Sequence, residues 1–210
     1  NGQMQEALDS VAALTKDYPN EAILYNISGA CYAGLGHLGA AVKSYEKAVA
    51  VNPDYAEAHN NFGATLRELD QLDAAVKCYE KALALKPDYA DAHANRGNVL
   101  KDFKRLDEAL ASYESAIALA PDLDFILGDS LHTKMHLCIW DDLALHLNEL
   151  TNKINKGEKV INPFALLALI DDPEIQRKTA EIYANEKHPK SLILSKIERY
   201  PKHKKIRIGY

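Results

Sequence analysis

Small and bulky apolar positions alternate along the first 123 residues on a fixed beat. Gly29, Gly63 and Gly97 share one phase, Ala41, Ala75 and Ala109 a second, and Tyr45, Tyr79 and Tyr113 a third. Ala48, Ala82 and Ala116 share a fourth phase and Pro19, Pro53, Pro87 and Pro121 a fifth, each recurrence falling 34 residues on. Counted from Ala22, the glycines stand at position 8, the alanines at 20 and 27, the tyrosines at 24 and the prolines at 32. Glycine and alanine let two helix axes approach closely, while the tyrosines, with Leu38, Leu72 and Leu106, fill the space towards the neighbouring repeat. The pattern predicts two helices per repeat. Asn20, Asp54, Asp88 and Asp122 directly follow the prolines and are expected as N-caps of the next first helix, Asp54 and Glu57 having the spacing of a capping box.

This pattern resembles the tetratricopeptide repeat, a helix pair with small residues where the two helices cross and a proline after the second. The expected fold is all-α: a right-handed superhelix, an α-solenoid of helix-turn-helix repeats, followed by a C-terminal helical junction. The solenoid spans 1–123, with a half repeat over 1–21 and full copies over 22–55, 56–89 and 90–123. The half repeat carries Ala7 at position 20 and Pro19 at position 32, and reads as a cut into a longer protein. Residues 124–204 are expected to form a degenerate repeat and helical linker: Leu131 stands at position 8, Leu143 at position 20, and Asn155 replaces the proline. Helices are predicted over Asp124–Leu137 and Asp142–Lys156, the latter ended by Gly157, and after Asn162-Pro163 and Asp172-Pro173. Trp140, Cys138 and Phe164 are expected in the junction core, and Ile206-Arg207-Ile208, within 205–210, alternates like a strand.

Charge separates the same two regions: residues 1–123 carry a net −7 and residues 124–210 a net +2. Three cysteines (Cys31, Cys78, Cys138), far apart and without CxxC spacing, predict reduced thiols rather than disulfides or structural zinc. His132 and His136 share a helix face but lack a well-placed third ligand, so no metal is expected; His59 and His93, at position 4, read as packing with a polar edge. The longest apolar run, Phe164–Ile170, has seven residues and is too short for a bilayer, so a soluble, cytoplasmic chain with no membrane partner is expected. The basic stretch from Lys187 lacks aromatic interleaving, which argues against nucleic acid. No nucleophile elbow, phosphate loop or carboxylate pair stands out, so these residues read as a binding module with no cofactor.

Three segments carry a second resemblance: His136-Leu-Cys-Ile-Trp-Asp-Asp142, Pro163-Phe-Ala-Leu-Leu-Ala-Leu169 and Lys205-Ile-Arg-Ile-Gly-Tyr210. Together they are similar to the junction of the O-linked N-acetylglucosamine transferase and SPINDLY family, of a bacterial type. The resemblance implies that residues 205–210 are the first strand of a catalytic domain lying downstream. It also implies that position-6 asparagines form a ladder holding the backbone of an extended acceptor polypeptide, a role matched here by Asn61 and Asn95 and broken at Ile27. An amide both donates and accepts, which suits any extended backbone. Asn60 and Asn98 lie on neighbouring turns, as does Asn26, while Arg67 and Lys101 at position 12 would favour acidic stretches. A homo-oligomer formed through the repeats is compatible with this reading. Two rivals remain. One is a generic repeat scaffold with no enzymatic connection. The other is a chaperone-type carboxylate clamp, for which only Asn61 matches and Asp91 would repel the ligand.

Overall fold

Helix pairs stacked side by side make up the architecture, seen in a computed structural model that describes residues 2–187. Eleven helices and no strand occur among the described residues. Helix α1 (Gly2–Asp17) lies against α2 (Ala22–Gly34), which pairs with α3 (Leu38–Val51). Helices α4 (Ala56–Glu68) and α5 (Leu72–Leu85), then α6 (Ala90–Asp102) and α7 (Leu106–Leu119), repeat that hairpin. Each second helix packs on the first helix of the next pair. The first helices α2, α4 and α6 also touch in sequence, whereas the second helices make no comparable contact. Like elements approach most closely on the inside of a bend, so the first helices line the concave side.

Tyrosine on glycine closes every hairpin. Tyr45, Tyr79 and Tyr113 are buried, and a Cβ built on Gly29, Gly63 or Gly97 would stand only 2.6, 2.9 or 2.6 Å from the ring of its own pair. Expectation had these rings filling space towards the neighbouring repeat. Tyr45 serves both purposes, since it also stacks on Phe62 with ring centroids 6.2 Å apart. Removal from water pushes the Tyr45 hydroxyl up to about 12, and raises those of Tyr79 and Tyr113 as well.

Position 15 ends each first helix in the left-handed region: Gly36 (φ 78°), Asp70 (59°), Lys104 (61°) and Cys138 (57°). The next amide then closes a six-residue loop onto the helix, as in Gln71 N–H to Leu66 O (2.9 Å) and Arg105 N–H to Leu100 O (2.9 Å). The starts of the helices differ from expectation. The N-cap residues are Glu21, Tyr55 and Tyr89, none with a side-chain cap. The aspartates fall one residue too early, inside the proline turn, and Asp54 faces Lys81 at 3.7 Å instead. The turn is tied down by the position-4 ring: Tyr25 OH donates to Pro19 O (3.0 Å), and His59 and His93 Nε2 donate to Pro53 O and Pro87 O (2.9 Å each).

The rhythm fails in the second half of the following unit. Helix α8 (Ile126–His136) packs on α7 and ends in the same turn, Ile139 N–H reaching Lys134 O at 2.9 Å. Helix α9 (Leu143–Asn155) then diverges from α8, and residues 158–161 enter the gap. Phe125 N–H donates to Lys159 O (2.5 Å) and Gly128 N–H to Val160 O (2.9 Å), satisfying donors at the start of α8. Ile161 lies so close to Gly128 that a Cβ there would stand 2.7 Å from the Ile161 Cα. Helices α10 (Pro163–Leu167) and α11 (Pro173–Lys187) complete a second core of Leu131, Leu150, Ile154, Ile161, Leu166 and Ile175. Both start where Asn162-Pro163 and Asp172-Pro173 placed them, and the preceding side chains cap them: Asn162 Oδ1 accepts from Phe164 N–H (2.9 Å) and Asp172 Oδ1 from Glu174 N–H (2.8 Å). The expected junction core of Trp140, Cys138 and Phe164 is corrected. All three are exposed, Phe164 by 81%, and the buried places in the junction core go to residues such as Val160 and Ile161 instead. The strand expected within 205–210 and the basic stretch beyond Lys187 lie outside the described residues.

Replacing Gly63 by leucine forces the Tyr79 ring out of its seat, and the hairpin has no void to receive it. Gly63→Leu is expected to destabilise the fold by about 1–3 kcal/mol. Thermal melting checks this, and an unchanged midpoint would contradict the ring-on-glycine closure.

Candidate docking groove

The concave side presents positions 5, 6, 9 and 12 of successive first helices. Asn61 and Asn95 (position 6) are half-buried, and Asn26 and Asn60 (position 5) are buried. Asn61 and Asn95 bond neither to the backbone of their own helix pair nor to each other, but to the position-5 asparagine of the preceding repeat. Asn61 Nδ2 donates to Asn26 Oδ1 at 3.1 Å and Asn95 Nδ2 to Asn60 Oδ1 at 3.0 Å. Asn60 Nδ2 donates to Asn61 Oδ1 at 3.4 Å, and Asn26 Nδ2 to Tyr55 OH at 3.3 Å. Asn98 is held from within, accepting from Tyr113 OH at 2.9 Å.

The two position-12 cations also bridge repeats. Arg67 Nε lies 2.8 Å from Asp102 and Lys101 Nζ 2.7 Å from Asp129, with Lys101 5.7 Å above the centroid of the Tyr113 ring. Their charge is compensated on the spot, which weakens the case for attraction of acidic stretches. Between α6 and α8 the groove widens into a cleft of about 430 Å³ lined by Asp91, Asn95, Asn98, Leu123, Ile126 and Asp129. Its polar surface is rich in acceptors.

Beside this groove His132 and His136 meet edge to face, centroids 4.6 Å apart, next to Lys101, Asp102 and Lys104. No three metal-binding side chains converge among the described residues. Partial burial, then the neighbouring His136 and Lys101, hold the His132 imidazole below the usual histidine range, with Asp129 opposing weakly. Cys31 and Cys78 are half-buried, and burial pushes the Cys78 thiol up to about 11, so it stays protonated and unreactive at neutral pH.

Sequence reasoning singled out the position-6 asparagines as candidates, but not their hydrogen-bond partners. The signal was present in Asn26 and Asn60, which recur 34 residues apart, one residue before position 6. The position-4 ring carried a signal too, standing six residues after Pro19, Pro53 and Pro87.

Residues 29–70 and 63–102 match one family model for this repeat, and residues 90–123 a second. The repeats are tetratricopeptide repeats. No curated protein matches the chain. Among solved structures, MamA is similar at 24% identity and a TM-score of 0.67, covering 74% of this chain and 91% of its own. The Pseudomonas aeruginosa pilF structure is similar at 18% identity and a TM-score of 0.70, covering 91% and 87%. The first tetratricopeptide domain of RPAP3, bound to the HSP90 peptide SRMEEVD, is similar at 22% identity and a TM-score of 0.55, covering 56% and 94%. At these identities the likeness is one of fold. No helix among the described residues is long and apolar enough to cross a membrane.

The lowered His132 value has a definite sign. The unfolded chain takes up the proton more readily than the folded one, so stability is complete above the ordinary imidazole range and falls as pH drops through it towards the depressed value. Chemical unfolding at pH 7.5 and pH 5 is expected to show a larger loss for the parent than for His132→Gln. Equal losses would contradict the assignment.

Proposed function

We propose that the tetratricopeptide groove docks another polypeptide in extended form, with Asn61 and Asn95 contacting its main chain and Asn60, Asn98, Arg67 and Lys101 around them. The observation that carries this is the row of side-chain amides on successive inner helices, continuous with a cleft of about 430 Å³. Amides serve an extended main chain without reading its sequence, because every residue offers the same N–H and C=O. In this reading 1–123 is the docking arm and 124–204 the junction that ends it.

The segments His136–Asp142, Pro163–Leu169 and Lys205–Tyr210 support a finer version, in which the arm presents Ser/Thr-bearing acceptors to a protein O-glycosyltransferase domain downstream. Holding the acceptor would then act by raising its local concentration at a distant active site. A generic scaffold rests equally well on the repeats themselves. The coding sequence beyond Tyr210 separates the two: a glycosyltransferase domain supports the first, and a stop codon the second. Asp91 and the compensated Arg67 and Lys101 speak against a clamp for a C-terminal carboxylate.

An array of immobilised fifteen-residue peptides rich in Ser and Thr tests the docking reading. The parent chain is expected to bind a subset, and the Asn61→Ala, Asn95→Ala double variant to bind that subset at least about tenfold more weakly, the loss of roughly one hydrogen bond at each amide. Equal binding by parent and variant would overturn it.

A further inference from the structure

Four of the five asparagines on the inner helices donate in one direction. Asn95 donates to Asn60, Asn60 to Asn61, Asn61 to Asn26, and Asn26 to the Tyr55 hydroxyl, over 3.0, 3.4, 3.1 and 3.3 Å. Each interior member gives one amide hydrogen forward and receives one on its carbonyl. The row therefore spans all three full repeats as a single polarised chain. Asn95 opens it and borders the cleft between α6 and α8, and among the described residues no protein donor reaches its Oδ1. The members closest to the protein interior are Asn26 (9% exposed) and Asn60 (6%), neither of which borders that cleft.

We infer that Asn26 and Asn60 are positioning residues for the docking groove: they hold the amides of Asn61 and Asn95 by their nitrogen side and so fix the Asn95 carbonyl as an acceptor for a main-chain N–H of the docked segment. This deepens the docking reading and rests on it. A free asparagine turns its amide over and offers a donor or an acceptor at will, which spreads its binding over two orientations. An amide whose nitrogen is tied to a buried partner can no longer turn over, so its oxygen keeps one side and only the second N–H is left over. Each bond in a directed chain also polarises the next, strengthening the terminal acceptor. Asp91 and Asp129 beside it are acceptors as well, so the cleft as a whole suits the N–H edge of a ligand.

Side-chain amide exchange with water, measured by NMR on the full chain, tests this without a ligand. In the parent the bonded Nδ2 hydrogens of Asn61 and Asn95 are expected to exchange slowly. In Asn60→Leu the Asn95 signal is expected to exchange about tenfold faster, the equivalent of about 1.4 kcal/mol lost with the bond. The Asn98 amide, held by Tyr113, should stay unchanged. Asn60→Asp keeps the acceptor and should restore slow exchange at Asn95, which a merely structural effect of substitution would not do. Should Asn60→Leu fail to fold, Asn26→Ala is expected to quicken Asn61 and leave Asn95 slow. Unchanged Asn95 exchange in folded Asn60→Leu, or unchanged Asn61 exchange in Asn26→Ala, overturns the inference. On the same peptide array, Asn60→Leu should lose binding as the Asn61→Ala, Asn95→Ala variant does, and Asn60→Asp should regain it. An array with no dependence on Asn61 and Asn95 removes the docking reading, while the exchange result still decides the relay.

Discussion

The approach of a tyrosine ring to a bare glycine backbone is the contact on which this solenoid depends. It brings the two helices of a pair within reach, and only then do Ala41, Ala48 and their counterparts at 75, 82, 109 and 116 bury completely at the crossing. Magnitudes rank the contributions. Removing a buried aromatic ring from a core costs about 3–5 kcal/mol, whereas a half-exposed bridge such as Arg67–Asp102 adds roughly 0–1 kcal/mol. The inter-repeat ion pairs therefore tune the angle between neighbours that the rings and glycines have already brought together. Curvature goes with the stacking: successive inner helices come into contact while the outer ones stay apart.

The same rule explains where the stack stops. Helix α8 still receives α7 and still ends in the position-15 turn, but Leu131 replaces the glycine and Leu143 the crossing alanine. Two leucines where two backbones should meet prevent the hairpin from closing. The space they wedge open is occupied by the strap 158–161, which bonds to the exposed donors of α8 and sets Ile161 on Gly128. A close approach onto glycine thus recurs in the junction with a different partner, one step earlier on the helix. Leu131 then belongs to a new core rather than to the repeat, sharing it with Leu150, Ile154 and Leu166.

What the sequence revealed, and what it hid, divides along the reach of the interactions. The 34-residue beat was legible because Gly63 and Tyr79 need each other in every copy, and a requirement repeated three times stands out against unrelated neighbours. The helix starts at Asn162-Pro163 and Asp172-Pro173 were legible because what sets them, a proline and a cap, acts within three residues. Asp54 and Asp88 misled for an instructive reason. The Pro-Asp pair already occupies the turn, and the carbonyl of the proline is claimed by a ring six residues on, so the helix begins one residue later than a local reading places it. Trp140 and Phe164 misled because their neighbours are set by a strap some twenty residues from one and adjacent to the other. Apolar character alone does not say which of several apolar residues wins a buried place. The partners of Asn61 and Asn95, each 35 residues back, follow from the stacking geometry and from nothing local.

In the docking reading proposed above, that internal pairing also sets what kind of binding the groove would support. A main chain that arrives from water exchanges hydrogen bonds with water for hydrogen bonds with amides, and each exchange is worth about 0.5–1.5 kcal/mol at most. Two such contacts, at Asn61 and Asn95, fall short of a tight complex once the ordering of an extended segment is counted. Because the amides are already held by Asn26 and Asn60, their own ordering is complete before the ligand arrives, which reduces that loss. Affinity must then accumulate along the row, one repeat at a time, and it grows with the number of successive repeats that keep an asparagine at position 6. Ile27 would end that accumulation at the third repeat counted back from the junction, so the proposed docking is of a weak, sequence-tolerant kind rather than selective capture.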